Sequence, residues 1–193
     1  MISAIILAAG QSRRMGQSKM LLPWGPRTVI EQVVISFLQA GVDDILIVTG
    51  GEQERVDKVI DAYPVRKIFN KDYAAGEMLS SLQCGLRELT EETRAALIGL
   101  GDQPQVGAES IHSICDAYRE SASPLIVPSF QRKRGHPWLV ARSLWDEILR
   151  LQQPQTPRDF LSHHTDEILY VNLDTSTILA DLDTPEDYLK SHP

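Results

Sequence analysis

Arg13, Arg14 and Lys19 all fall within nine residues of Gly10, in a chain of 193 residues with a formal net charge of −7. An acidic protein that gathers cations beside a turn of small residues is equipped to hold a polyphosphate. The guanidinium and ammonium groups bring charge and donors. Ala8, Ala9 and Gly10 let the backbone come close where a larger side chain would block it. The turn is not a P-loop, because five residues separate Gly10 from Gly16 and Lys19 is displaced; no G-x-G-x-x-G string occurs either. Asp102, in Gly101-Asp102-Gln103-Pro104, follows an apolar run. A carboxylate at the tip of a buried strand would repel a triphosphate unless a cation stood between them. Mg²⁺ takes oxygen ligands, usually one or two carboxylates with phosphate oxygens and water, so Asp102 is the expected metal ligand. The second is expected from Asp181 or Asp183, with Asp183 preferred because it stands immediately before a capped helix start.

Other candidates are less specific. The stretch 70–85 contains Gly76, which offers close backbone approach, and Ser80 and Ser81, whose hydroxyls near a helix start also serve as caps. Arg132, Lys133 and Arg134 form a second cationic cluster, suited to an acceptor's phosphate or a departing pyrophosphate. His163 and His164 are adjacent, so on a helix they point about 100° apart and share a metal poorly. His112 and His192 have no partners at ligand spacing, and no serine stands in a visible Ser-His-Asp constellation. Cys84 and Cys115 lie in no C-x-x-C, which argues against a zinc knuckle or a disulfide framework.

The elements that must position these groups alternate. A short apolar run at residues 5–7 precedes the cationic turn. Ile30, Val33, Val34, Phe37 and Leu38 then make a helical stripe that Gly41 is placed to cap. Strands are expected at 45–48, 66–69, 95–100 and 125–127. Between them run helices carrying Val56, Val59 and Ile60, then Leu79, Leu82, Leu86 and Leu89, then Ile111, Ile114, Cys115 and Tyr118. Such alternation predicts a Rossmann-like, three-layer αβα sandwich with a mostly parallel sheet, in one domain over residues 1–193. Past residue 128 the pattern loosens: strands are expected at 138–141 and 169–173, a helix at 144–151, and a short edge strand at 178–182. Thr184-Pro185-Glu186-Asp187 opens a final helix with a capping box.

Hydrophobic residues make up 42% and charged residues 23%, as in an ordinary globular protein. The negative charge argues against nucleic acid and membrane surfaces as partners. The opening MISAIILAAG has no basic region and too short an apolar run for a signal peptide or membrane span, so a cytoplasmic location is expected.

LAAGQSRRMGQSK resembles the L-A-[AG]-G-x-S-x-R-M-G-x-x-K signature of the nucleotidyltransferases that finish the molybdenum cofactor, within the wider family of nucleotide-sugar pyrophosphorylases and cytidylyltransferases. Gly-Asp-Gln-Pro, Arg134-Gly135-His136-Pro137 and Leu182-Asp183-Thr184-Pro185-Glu186-Asp187 resemble further motifs of that family, in order along nearly the whole chain. The resemblance implies that Arg14 and Lys19 hold the triphosphate and that the backbone of Leu7, Ala8, Ala9 and Gly10 surrounds the base. Gly76 and Ser81 would complete the base site, and Asp102 with Asp183 would hold Mg²⁺. Arg134, His136 and Arg158 would lie on the side of a molybdopterin-type phosphorylated acceptor. Ala9 points to CTP, because guanylyl-transferring relatives usually carry glycine there. The implied reaction transfers CMP to the acceptor's phosphate and releases pyrophosphate, with a recipient molybdoenzyme as a possible later partner. Two rivals are a transferase acting on a sugar or alditol phosphate, and a non-catalytic carrier of molybdenum cofactor.

Overall fold

In the computed structural model the described residues are 1–10, 12, 15–75 and 77–193. Along the chain they form β1 (Ile2–Ala8), a hairpin of β2 (Pro23–Trp24) and β3 (Arg27–Thr28), α1 (Val29–Gln39), β4 (Asp44–Thr49), α2 (Gln53–Ile60), β5 (Arg66–Phe69) and α3 (Glu77–Glu88). There follow β6 (Ala95–Leu100), α4 (Ala108–Ser121), β7 (Leu125–Phe130), β8 (Lys133–Arg134), β9 (Trp138–Ala141), α5 (Trp145–Arg150), α6 (Pro157–His163), β10 (Ile168–Asn172) and α7 (Pro185–Ser191).

One sheet runs in the order β10-β7-β9-β6-β1-β4-β5, with β8 hairpinned onto the end of β7. β1 pairs in parallel with β4 and β6, β4 with β5, and β7 with β10. β9 alone runs against both its neighbours along that path. Side chains alternate across the central strands. Ala4, Ile6, Ile45, Ile47 and Leu97 pack under α1, α2 and α4. Ile5, Leu7, Leu46, Val48 and Ile98 pack under α3, α5 and α6. Strands covered on both faces need continuous apolar runs, which is why 95–100 and 45–48 stand out in the sequence. The result is the expected three-layer αβα arrangement. α3 lies so close to β1 that a Cβ added at Gly85 would come within 2.6 Å of Ile5 Cγ2.

Helix starts are written locally. Glu31 Oε2 accepts from the backbone N and Oγ1 of Thr28, both at 2.8 Å, closing a capping box on α1. Gly41, at φ +77°, supplies the left-handed residue just past that helix. Thr184 and Asp187 cap α7 in the same reciprocal way.

The edge strand expected at 178–182 does not form. Residues Thr177–Leu179 make one 3-10 turn, and Leu182 instead sends its N–H to Asp102 O at 3.3 Å and buries its side chain against Leu22, Trp24 and Val29. Of the alternating apolar residues, Leu182 is buried in a separate small core and Ile178 is buried beside Gly135, neither of them in a strand. α6 was not anticipated, although Thr156-Pro157-Arg158-Asp159 carries the same capping box as the final helix.

Candidate active site

The chain leaves β1 for β4 and β5 on one side and returns to β6 on the other, so the strand order reverses beside β1. In open α/β sheets ligands bind beyond the carboxyl ends of the strands at such a point. A hollow of about 650 Å³ lies there, and Leu7, Ala9, Gly10, Ser12, Lys19, Ser81, Leu100 and Asp102 are among its walls. β1 delivers Leu7 and the turn after it, while β6 delivers Leu100 and Asp102. Gly101 N donates to Leu7 O at 3.0 Å, which fixes the two strand tips side by side. Ala8 faces the other way, into the core under α1.

Lys19 reaches the hollow from a 3-10 turn (Lys19–Leu21) anchored by buried Met20. Its backbone N donates to Ser12 Oγ at 3.0 Å. Its Nζ donates to Asp102 Oδ2 at 2.9 Å and to Asp183 Oδ1 at 2.7 Å. The lysine side chain is only 13% exposed, against 18% for Asp102 and 40% for Asp183. Burial alone would lower the lysine pKa, but the charge of Asp102 and the hydrogen bonds to both carboxylates outweigh it, so the ammonium is held above its ordinary value.

Asp181 adds a third carboxylate to the rim. Burial raises its pKa, and the neighbouring charge of Asp102 raises it further; Gln103 Nε2, donating at 2.7 Å to its Oδ1, opposes the shift. Among the described residues the rim gathers three carboxylates, Asp102, Asp181 and Asp183, around the Lys19 ammonium. It favours an incoming cation.

Of the residues singled out in the sequence, Lys19, Asp102, Asp183, Leu7, Ala9, Gly10 and Ser81 line one hollow. Arg14 and Gly76 lie outside the described residues. Ser81 is buried and accepts from Asn70 Nδ2 at 3.0 Å; the same amide donates to Ser80 Oγ at 2.9 Å. The acceptor-side candidates do not line the hollow. Arg134 holds Tyr170 Oη at 2.9 Å, Thr165 Oγ1 at 3.1 Å and Leu161 O at 3.3 Å, a clasp between β8 and the segment from α6 to β10. His136 stands beside β9 on the same rim of the sheet, where its N donates to Ile178 O at 3.0 Å and burial pushes its pKa down to about 4. Arg158 is exposed in the first turn of α6.

Three contributors were missed in the sequence. Ser12, Asn70 and Gln103 each sit inside or beside a string already singled out, yet only their hydrogen bonds reveal them as the groups that brace Lys19, Ser81 and Asp181. Tyr73 and Met78 also wall the hollow. His164, unassigned by sequence, is bound on both ring nitrogens, by Glu167 at 2.7 Å and Glu147 at 2.9 Å. Both cysteines are free. No helix among the described residues is long and apolar enough to cross a membrane.

The chain is similar to known proteins along nearly its whole length. The molybdenum cofactor cytidylyltransferase of Escherichia coli (strain K12) is 29% identical over 97% of this chain and 94% of its own. A probable molybdenum cofactor guanylyltransferase of Bacillus cytotoxicus is 25% identical over 97% of this chain and 94% of its own. The crystal structure of Rv0371C in complex with manganese, from Mycobacterium tuberculosis H37Rv, superposes with a TM-score of 0.81 at 25% identity, covering 98% of this chain and 96% of that one. Residues 4–168 match the MobA-like NTP transferase domain, and the chain belongs to that family of nucleotidyltransferases.

Proposed function

We propose that the protein transfers the CMP part of CTP to the phosphate of molybdenum cofactor or a similar molybdopterin, with release of pyrophosphate. The observation that carries this reading is the Lys19 ammonium held between Asp102 and Asp183 at the tips of β1 and β6. Likeness to a cytidylyltransferase over nearly its whole length, and Ala9 in the opening turn, support CTP as donor.

In this reading Lys19 and Arg14 hold the triphosphate, and the backbone of residues 7–10 surrounds the base with Gly76 and Ser81. Arg134, His136 and Arg158 lie on the acceptor side. An acceptor phosphate oxygen forms a bond to the α-phosphorus, the bond from that phosphorus to the β-bridging oxygen breaks, and its electron pair leaves with pyrophosphate. The acceptor phosphate is already ionised at neutral pH, so no general base is required. The protein's work is to align the two phosphates and to neutralise charge.

A divalent cation fits the donors present. Two carboxylates already grip a cation at 2.9 and 2.7 Å, and an all-oxygen set suits Mg²⁺ or Mn²⁺. Asp102 and Asp183 would hold the ion, which when bound neutralises phosphate charge and polarises the α-phosphate. A structural relative was crystallised with manganese.

The test is incubation with each of the four nucleoside triphosphates, Mg²⁺ and molybdenum cofactor while pyrophosphate is measured. Release confined to CTP with cofactor is the expected result. Release with GTP would favour the guanylyl reading, which has a relative of equal coverage behind it. Release only with a sugar or alditol phosphate would replace the acceptor. Cofactor binding without any pyrophosphate would mark a carrier and sink the transferase reading.

A further inference from the structure

We propose that Lys19 keeps the divalent-cation site closed until a triphosphate arrives. The inference rests on the reading of Asp102 and Asp183 as metal ligands. The lysine ammonium fills the place between those two carboxylates, 2.9 Å from one and 2.7 Å from the other. It is enclosed, with its side chain 13% exposed. A divalent ion bound to the same oxygens would stand next to that positive charge, so the two cations compete for one position.

The protein's own donor set cannot settle the competition in the metal's favour. Among the described residues no three His, Cys, Asp or Glu side chains gather into a metal cage. The remaining ligands therefore come from phosphate oxygens and water, as is usual for Mg²⁺. A triphosphate supplies both missing parts, oxygen ligands for the ion and a new anionic partner for the lysine. The Lys19 backbone is tied to Ser12 in the turn that leads from β1, so the side chain pivots from a fixed base between carboxylates and phosphates. Metal and nucleotide thus help each other bind, and the coupling is reciprocal.

The experiment is a titration with Mn²⁺ alone, following the free aqua ion by electron paramagnetic resonance, on wild type, Lys19→Met, Lys19→Gln, Asp102→Asn and the double variant Lys19→Met/Asp102→Asn. Thermal melting selects the variants that fold, and Gln keeps a donor to both carboxylates should Met disturb them. Removing the ammonium is expected to tighten Mn²⁺ binding at least tenfold, and Asp102→Asn is expected to reverse the gain. Equal or weaker binding in the folded Lys19 variant overturns the proposal. Should wild type bind Mn²⁺ as tightly as the Lys19 variants and lose it with Asp102→Asn, the metal reading stands and the gate alone fails. Tight binding indifferent to Asp102→Asn overturns both.

Discussion

Asp102 has two partners that pull its surroundings in different directions: Lys19 attracts it, and Asp181 shares its sign across the same rim. Such a carboxylate is better suited to gripping a mobile cation than to stabilising the fold, since its side chain is partly exposed and sits past the end of a strand already fixed by β1 and β9. Asp102→Ala is expected to lower pyrophosphate release about 10³-fold or more while the melting temperature stays within a few degrees of wild type; turnover close to wild type would remove the metal role. Ala9 is expected to contribute less to nucleotide choice than its place in the signature suggests. It is 5% exposed, and its methyl carbon would lie only 3.0 Å from a Cβ placed on Gly50, so much of it is covered by the neighbouring loop. One methyl group discriminates by about 1–3 kcal/mol at most when it touches the ligand. Ala9→Gly is expected to change the ratio of CTP to GTP turnover by about tenfold or less, the low end of that range, and a complete switch to GTP would show that the methyl faces the base after all.

Among the elements, the segments after β1, β5 and β6 wall the hollow, and one glycine in the loop after β4 decides how tightly that loop packs on the turn after β1. A Cβ at Gly50 would come 2.6 Å from Ala9 O and 2.9 Å from Ala9 Cα, both backbone atoms that yield only if the turn moves. Gly50→Ala is expected to cost about 1–3 kcal/mol in urea unfolding and to weaken CTP binding measured by calorimetry. Unchanged affinity would separate this loop from the base site. The central elements were legible in the sequence because β1, β4 and β6 are buried on both faces and their helices carry full apolar stripes. β10 was visible as well, although it is an edge strand with little burial. The residues of 178–182 misled because burial outside the sheet also rewards apolar side chains: Leu182 packs against Leu22, Trp24 and Val29, and Ile178 against Gly135. β8 and the β2–β3 hairpin, two residues per strand, are too short to show a period. Within the site, charged groups on strand tips announced themselves. Ser12, Asn70 and Gln103 did not, since their hydrogen bonds, to partners 7, 11 and 78 residues away, follow no helix or strand period.

Two histidines give the whole molecule opposite responses to acid. His136, held near a pKa of about 4 by burial, lies below its ordinary 6.5. Between those values the unfolded chain takes up a proton that the folded chain refuses, so stability falls as pH drops from 6.5 to about 4, by about 3 kcal/mol in all, and then levels off. His164 runs the other way. Burial lowers its pKa, but the hydrogen bonds it donates to the carboxylates of Glu147 and Glu167 outweigh that and raise it. Its stabilisation is complete below 6.5 and is lost as pH rises through the folded value. Urea unfolding across pH 4 to 8 is expected to show the acid-side loss in wild type and a flatter curve in His136→Gln; an unaltered slope would assign the loss to other groups. The lysine at position 19 and the carboxylate at 183 lie 164 residues apart along the chain. A ribosome makes them in that order. A nascent polypeptide that has emerged through β7 carries Lys19 and Asp102 but not Asp183, so the clamp on the ammonium is completed only when the segment after β10 has been made and folds back across the strand tips.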